Sequence, residues 1–454
     1  MPNASKLDEW VKNEFNGVTW SDARLSHRLK KIATDLCRQP QASIPEACGE
    51  WSRTKGAYRF FDNDKVTPET ILSGHQKATL ERMKDEDVVL TVQDTTSLNY
   101  ACQEEGSGLG LVGDSCGTLG LWLHTTMALN SQGAALGIVD AQMWSRDPAK
   151  KGVARLRAQK TIAAKESQRW LTSFQQSVRL AGQLTGRQIV SVADREADIY
   201  ELFEQAVQHP EVGVLIRARH NRQLRSEHKN LSGVLAVQPV AGEVEITVPR
   251  KPGVRSYQAR LEIRFSPIVV KCKGKPGELN LWVVEARQMG VSADKAICWR
   301  LLTNLPVTDL AGAVKLVQWY RLRWRIEEFH RVLKTGCQAE ARQLETAKRL
   351  ERALALDMII AWRIMELTRV ARQHPDKPAT ELLTEEEVVV LRGMFKRLQK
   401  KKIITIYEAV RAIAQRGGFL GRKSDGEPGP MTLWKGLHRF NLYVDAFLLM
   451  KTCG

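Results

Sequence analysis

Apolar positions along the chain recur with two periods, and the switches between them mark its organisation. Leu7, Trp10, Val11 and Phe15, then Leu25, Leu29, Ile32, Ala33 and Leu36, keep the spacing of one helix face, so residues 1–85 are predicted helical. Asp22 or Ser21 stands where a cap for the second of these helices belongs. From Val88 the pattern becomes β-branched. Val88–Gln93 predicts a buried strand ending at Asp94, and Leu121–Leu129 and Leu136–Trp144 predict two more, linked as an antiparallel meander. Asp147-Pro148 breaks this pattern. Next come a helix over Lys165–Leu184, a strand Ile189–Ala193 ending at Asp194, a helix over Ile199–Val207 and a strand Val212–Ile216.

Residues 220–300 then interrupt the alternation. Val244–Val248, Tyr257–Phe265, Ile268–Lys271 and Leu279–Glu285 alternate between Gly and Pro punctuation, which predicts an inserted β-rich subdomain closed by Trp299–Thr303. Beyond Lys334 the chain reads as helix: Leu350–Val370, a break at His374–Pro378, Glu385–Leu398, a Gly/Pro linker over 417–430, and an amphipathic final segment Leu433–Met450.

The helix that carries chemistry lies between these parts. In Trp319–Lys334 the apolar residues Trp319, Leu322, Ile326, Phe329 and Leu333 form one helical face, and Tyr320, Arg323, Glu327 and Lys334 form a second stripe beside it. A carboxylate on that stripe can hold a metal while Arg323 and Lys334 hold anionic oxygens; a solvated, ion-paired surface has the same pattern. His330 on this helix reads as structural or solvated. Asp198, four residues after Asp194, reads as a cap or ion-pair partner, and Glu328, pointing away from the Glu327 stripe, as surface.

Composition narrows the partners. The 454 residues hold 68 Lys plus Arg against 51 Asp plus Glu, a formal charge of +17, and the pI is near 9.6. That excess favours a polyanion, nucleic acid before membrane. No apolar run approaches the roughly 18 residues a bilayer span needs. Asp8, Glu9 and Glu14 come early without an apolar signal core, and the eight cysteines are scattered with no Cys-x2-Cys pair, so the reading is a cytosolic protein with reduced thiols. The loop 101–118 is Gly-rich but lacks the Lys-Ser/Thr pair of a phosphate-binding loop.

Tyr320, Arg323, Glu327 and Lys334 reproduce a Tyr-x2-Arg-x3-Glu-x6-Lys signature with each spacing intact. With RWRIEEFH at 323–330, DREADI at 194–199, DTTSL at 94–98 and GAYRF at 56–60, the chain resembles the bacterial cut-and-paste insertion-sequence transposases, the Asp-Asp-Glu enzymes of the Tn5 type. The resemblance covers most of the chain in family order.

The β-β-β-α-β-α-β order suits the α/β ribonuclease-H-like catalytic core of such enzymes, with the first and fourth strands side by side and Asp94 and Asp194 meeting at one sheet end. The expected division is a helical end-binding domain at 1–75, a core at 76–370 and a helical dimerisation domain at 371–454. Three converging carboxylates need a cation, and oxygen ligands favour Mg²⁺, or Mn²⁺ in its place, over zinc. Asp94, Asp194 and Glu327 are therefore the expected catalytic residues and ligands of two such ions.

The resemblance further implies that Tyr320, Arg323 and Lys334 hold DNA phosphates, that Trp299 stacks on a flipped base, and that Arg217 and Arg28 contact DNA. It implies double-stranded transposon ends and target DNA as partners, a homodimer in the DNA complex, and a reaction that nicks the end, closes and reopens a hairpin, and joins the 3′-end to target. Two other readings stand beside it. One is a catalytically silent inhibitor or repressor of a related transposase; the other is a general ribonuclease-H-like nuclease, which leaves the Tyr-Arg-Glu-Lys stripe unexplained.

Overall fold

The computed structural model describes residues 6–100, 106–112, 118–146, 162, 165–248, 256–271, 277–292, 295–422 and 425–453. The break at Asp147-Pro148, most of the Gly-rich loop and part of the 417–430 linker lie outside these residues.

The N-terminal region is helical, as the spacing predicts: α1 (Lys6–Glu14), α2 (Ala23–Arg38), α3 (Ile44–Cys48), α4 (Trp51–Phe61) and α5 (Pro68–Met83). Asp22 is the cap of α2, accepting from the Arg24 amide, and Ser43 and Glu46 form a reciprocal capping box on α3. The core begins with β1 (Val88–Asn99), the short β2 (Gly110–Leu111), β3 (Leu119–Asn130) and β4 (Ala135–Trp144). It continues through α6 (Gln168–Gln183), β5 (Gln188–Ala193), α7 (Tyr200–Gln208) and β6 (Val212–Arg217).

The central strands lie in the order β4-β3-β1-β5-β6. β3 pairs antiparallel with β1 on one side and with β4 on the other, and β5 and β6 run parallel to β1. This is the ribonuclease-H-like arrangement, with helices on both faces. α6 and α7 cover one face, packing Trp170, Phe174 and Phe203 against Val89, Ile189 and Val214. The other face, with Leu90, Val92, Val190 and Val192, is covered from the C-terminal side.

The β-rich insertion is present and returns to the core at its last strand. After α8 (Leu231–Val237) come β7 (Gly242–Val248), β8 (Tyr257–Lys271), β9 (Glu278–Gln288) and β10 (Cys298–Thr303). They form no separate sheet, because β10 pairs with β6 and the order β6-β10-β9-β8-β7 extends the central sheet. The two segments expected at 257–265 and 268–271 are one strand: Pro267 sits in register opposite Trp282 without ending the β8–β9 ladder.

The helices α9 (Leu310–Leu322), α10 (Trp324–Arg331), α11 (Ala347–Gln373), α12 (Glu385–Met394), α13 (Lys396–Gln399), α14 (Ile406–Arg416) and α15 (Pro430–Cys453) complete the fold. The helix expected over Glu385–Leu398 is divided at Phe395, whose backbone is extended. α14 carries a Thr405–Glu408 capping box that the apolar pattern alone did not disclose. No helix among the described residues is long and apolar enough to cross a membrane.

The N-terminal helices are joined to the core through Trp362 of α11, which is fully buried. It stacks on Trp10 at 6.5 Å, meets His75 at 4.8 Å, lies under the Arg82 guanidinium at 4.2 Å, and donates to the Ala135 carbonyl at 3.0 Å. Beside it the buried Glu14 carboxylate takes hydrogen bonds from Arg82 and pairs with His75. Removing the indole leaves a large cavity where α1, α5, β4 and α11 meet. We expect Trp362→Ala to lose about 3–5 kcal/mol in urea unfolding, with α1 and α5 losing amide protection together; loss of protection in α11 alone would show the helices to be independent.

Candidate active site

The register of β1 and β5 decides where the first two acids go. The two strands pair in parallel with a constant offset, from Val88 opposite Gln188 to Val92 opposite Val192. Two residues further, Asp94 falls level with Asp194. Side chains alternate along a strand, so Asp94 shares a face with Leu90 and Val92, and Asp194 with Val190 and Val192. That face is the one α10 covers, anchored by Ile326 and Phe329, both fully buried. β1 does not end at Asp94, as expected, but runs on to Asn99, paired with β3. It is β5 that stops, at Ala193. Asp94 thus sits where its strand loses one neighbour, and burial along β1 gives way to partial exposure there.

The backbone aims both carboxylates. Asp94 Oδ1 accepts from the Thr95 amide at 2.9 Å, and Asp194 Oδ1 accepts from the Glu196 amide at 2.8 Å, capping a short turn at Arg195–Ala197. Behind them, Arg169 of α6 donates to Thr95 Oγ1 at 2.9 Å and to Glu196 Oε2 at 2.6 Å, tying β1 to the turn after β5. Sequence reading missed this arginine. Its helix was legible, but nothing in the spacing says which strand ends it reaches.

Glu327 comes from across the cleft. The helix expected as one piece over Trp319–Lys334 is divided. α9 ends at Leu322, and Arg323 and Ile326 make tighter bonds three residues back, to Tyr320 and Arg323. After α10 a π-helical turn spans Val332–Gly336, closed by Cys337 N–H to the Val332 carbonyl at 2.9 Å. Such wide turns gather at functional sites because one extra residue re-aims the side chains beyond it. Lys334 sits in this turn, 3.9 Å from Glu340, which itself accepts from the Asn99 amide at the end of β1.

Arg323 joins the two sides. Its guanidinium contacts Glu327 and lies 3.7 Å from Asp94, with only 15 % of the side chain exposed. Burial pushes the Asp94 carboxyl up to about 7; Asp194 and Glu327 add to that rise, while Arg323 and the Thr95 amide oppose it. The donor set is all carboxylate oxygen, which fits a hard divalent cation. Among the described residues, though, no three such side chains stand together ready for one ion.

The remaining expected residues fall around this cleft, with one far from it. Trp299 on β10 is half-buried and meets Tyr320 edge-on at 5.4 Å. Tyr320 is buried rather than open to a ligand, its hydroxyl beside Arg217. Arg217, ending β6, donates to the Cys298 carbonyl at 3.1 Å, and its buried Nε has no partner among the described residues. Arg28 lies on the N-terminal helices, exposed on α2 with Arg24, His27 and Lys31. Its guanidinium covers Gly56 of the GAYRF segment, where a β-carbon would collide with it.

Other candidates prove structural. Asp198 is buried, accepting from the Arg219 and His220 amides and from Arg222. Glu328 pairs with Arg325 at 2.6 Å. His330 is buried beside Thr125, and burial, with Lys334 and Arg323 nearby, pushes its imidazole down to about 3, so it stays neutral.

The Asp94 shift has a stability consequence with a definite sign. A carboxyl raised from 3.8 to about 7 holds its proton in the folded state after the unfolded chain has lost its own. Stability therefore falls as pH rises through that interval and levels off above it. In buffer with a chelator, Asp94→Asn should melt several degrees above the native protein at pH 8 and level with it at pH 4. A difference independent of pH would show that Asp94 is an ordinary carboxylate.

Known family models match three successive parts of the chain. Residues 7–66 match a family model described as transposase DNA-binding, 165–363 a transposase DDE domain, and 359–452 the Tn5 transposase dimerisation domain. Asp194 and Glu327 lie within the DDE match and Asp94 upstream of it. A cryo-EM structure of a piggyBac transposase synaptic complex with hairpin DNA aligns over 80% of this chain and 72% of that one, at 9% identity and a TM-score of 0.37. DDE transposases use divalent metal ions. Three matches in succession along about three quarters of the sequence identify it: the chain belongs to the Tn5-type DDE transposases, proteins of DNA transposition.

Proposed function

We propose that this protein is an active transposase that cuts the ends of its element by metal-dependent hydrolysis and hairpin formation, and joins the freed 3′-ends to target DNA. The observation that carries this reading is the shared level of Asp94 and Asp194 on neighbouring strands, with Glu327 presented to the same cleft by a buried helix. These three acids would hold Mg²⁺, with Mn²⁺ able to replace it, as a pair of ions. Bound there, such ions supply positive charge that lowers the pKa of water and offsets charge building on the phosphate.

The protein's own groups do the positioning. Arg323 and Lys334 flank Glu327 and present cations to phosphates on either side of the scissile bond. In the first cut a water oxygen bonds to phosphorus as the 3′-oxygen leaves. The freed 3′-hydroxyl then attacks the opposite strand, releasing the flanking DNA and closing the hairpin. So tight a loop expels a nucleotide from the stack at a cost of a few kcal/mol. Trp299 offers an aromatic face to that base. Tyr320 braces the indole from behind and keeps Arg217 in place beside it.

Residues 1–75 would grip the transposon end through the exposed cations of α2, Arg28 among them; 76–370 would do the chemistry. Residues 371–454 would pair two copies in the DNA complex. On α15, Leu442 and Leu449, and beside them Tyr443 and Met450, repeat every seven residues and are at least half exposed, forming an apolar stripe suited to a second copy.

Asp94→Ala, Asp194→Ala and Glu327→Ala should each abolish cleavage of a duplex bearing the cognate end, by a factor of about 10³ or more, while a mobility-shift assay shows end binding retained. Cleavage surviving in any one would remove that residue from the site. An intact protein that binds ends and never cuts them would instead be the silent inhibitor.

Trp299→Ala separates the steps. First-strand nicking should continue and hairpin product should fall by about tenfold or more on a denaturing gel. Equal loss of both would make Trp299 a packing residue.

A further inference from the structure

The acids of the cleft repel one another, and the chain supplies its own cation to two of them. Arg323 contacts Glu327 and approaches Asp94 to 3.7 Å, so one guanidinium spans the strand side and the helix side of the site. Its charge is present at every working pH. It also sits at the break between α9 and α10, where rotation of a long side chain suffices to re-aim it. Among the described residues no three acidic side chains are grouped to share one ion.

We propose that Arg323 is a stand-in for the divalent cation: it clamps Asp94 and Glu327 together in the DNA-free protein, and yields them when the ion arrives. The released guanidinium is then available to a phosphate of the bound end. This rests on the reading of Asp94, Asp194 and Glu327 as the metal ligands. The ion and the guanidinium compete for the same oxygens, so metal affinity is held down until DNA takes the arginine. By linkage, metal raises affinity for the phosphate by the same factor.

Isothermal titration of Mn²⁺ into the full-length, DNA-free protein tests this, with thermal unfolding measured alongside. Arg323→Gln removes the competitor and should bind Mn²⁺ about tenfold tighter than the native protein. Its melting temperature without metal should be lower, and the gap should narrow as Mn²⁺ saturates. Arg323→Lys keeps a charge but, as a point cation, holds one carboxylate at a time, and should fall between the two. Arg323→Gln binding no tighter than the native protein, or Arg323→Lys matching native while Arg323→Gln binds more weakly, overturns the proposal, because a ligand-supporting arginine would behave so. Asp194→Asn reports on the underlying assignment: unchanged Mn²⁺ affinity there means the ligands are wrong, whatever Arg323 does.

Discussion

The lateral pairing of β1 with β5 is the constraint on which the rest depends. Asp94 and Asp194 are a hundred residues apart, and only the parallel register from Val88 to Val92 brings them level. That register is held by burial on both faces: Val89 and Ile189 pack under α6 and α7, Leu90 and Val190 under the C-terminal helices. A slip of one residue would turn one aspartate to the opposite face and bury a polar group in the Phe174 cluster, so the alternation that builds the core also protects the site. Glu327 is placed by the same means, since Ile326 and Phe329 seat α10 on that sheet face.

Gathering acids in a half-buried cleft works against stability, and the surroundings show how the cost is spread. Amides cap both aspartates, Arg169 ties β1 to the turn that follows Asp194, and Arg323 sits between Asp94 and Glu327. Yet the Asp94 carboxyl still stands well above its ordinary range. Structure that is strained in isolation and relieved by its ligand is a common property of sites that bind charge. Further out, Asp198 takes two amides and an arginine to fix the chain leaving β6.

Much of this was legible in the sequence, for reasons that also explain what was not. The strands and helices of the core announce themselves because each buries one periodic face, and the order of elements limits their topology. The position of Asp94 at a run of β-branched residues, and of Asp194 at another, put both at the sheet end. What periodicity cannot see is a local change of hydrogen-bond partner. The tightened turn at Arg323 and the wide turn at Val332–Gly336 leave the apolar spacing nearly intact, so the stripe read as one helix. Pro267 looked like a terminator, but proline lacks only a donor, and the β8–β9 pairing survives around it. The burial of Tyr320 under Trp299 joins residues from β10 and α9, and a contact of that kind leaves no trace in spacing.

The indole of Trp362 has one more implication. Because it is wedged between α1, α5, β4 and α11, the part of the molecule that would read DNA is not a module hung on a tether. Exchanging those helices wholesale would require an incoming set to reproduce the seats of Trp10 and His75 against Trp362. Divergence would instead run through the outward residues of α2, leaving its inner face to change slowly in step with the catalytic half.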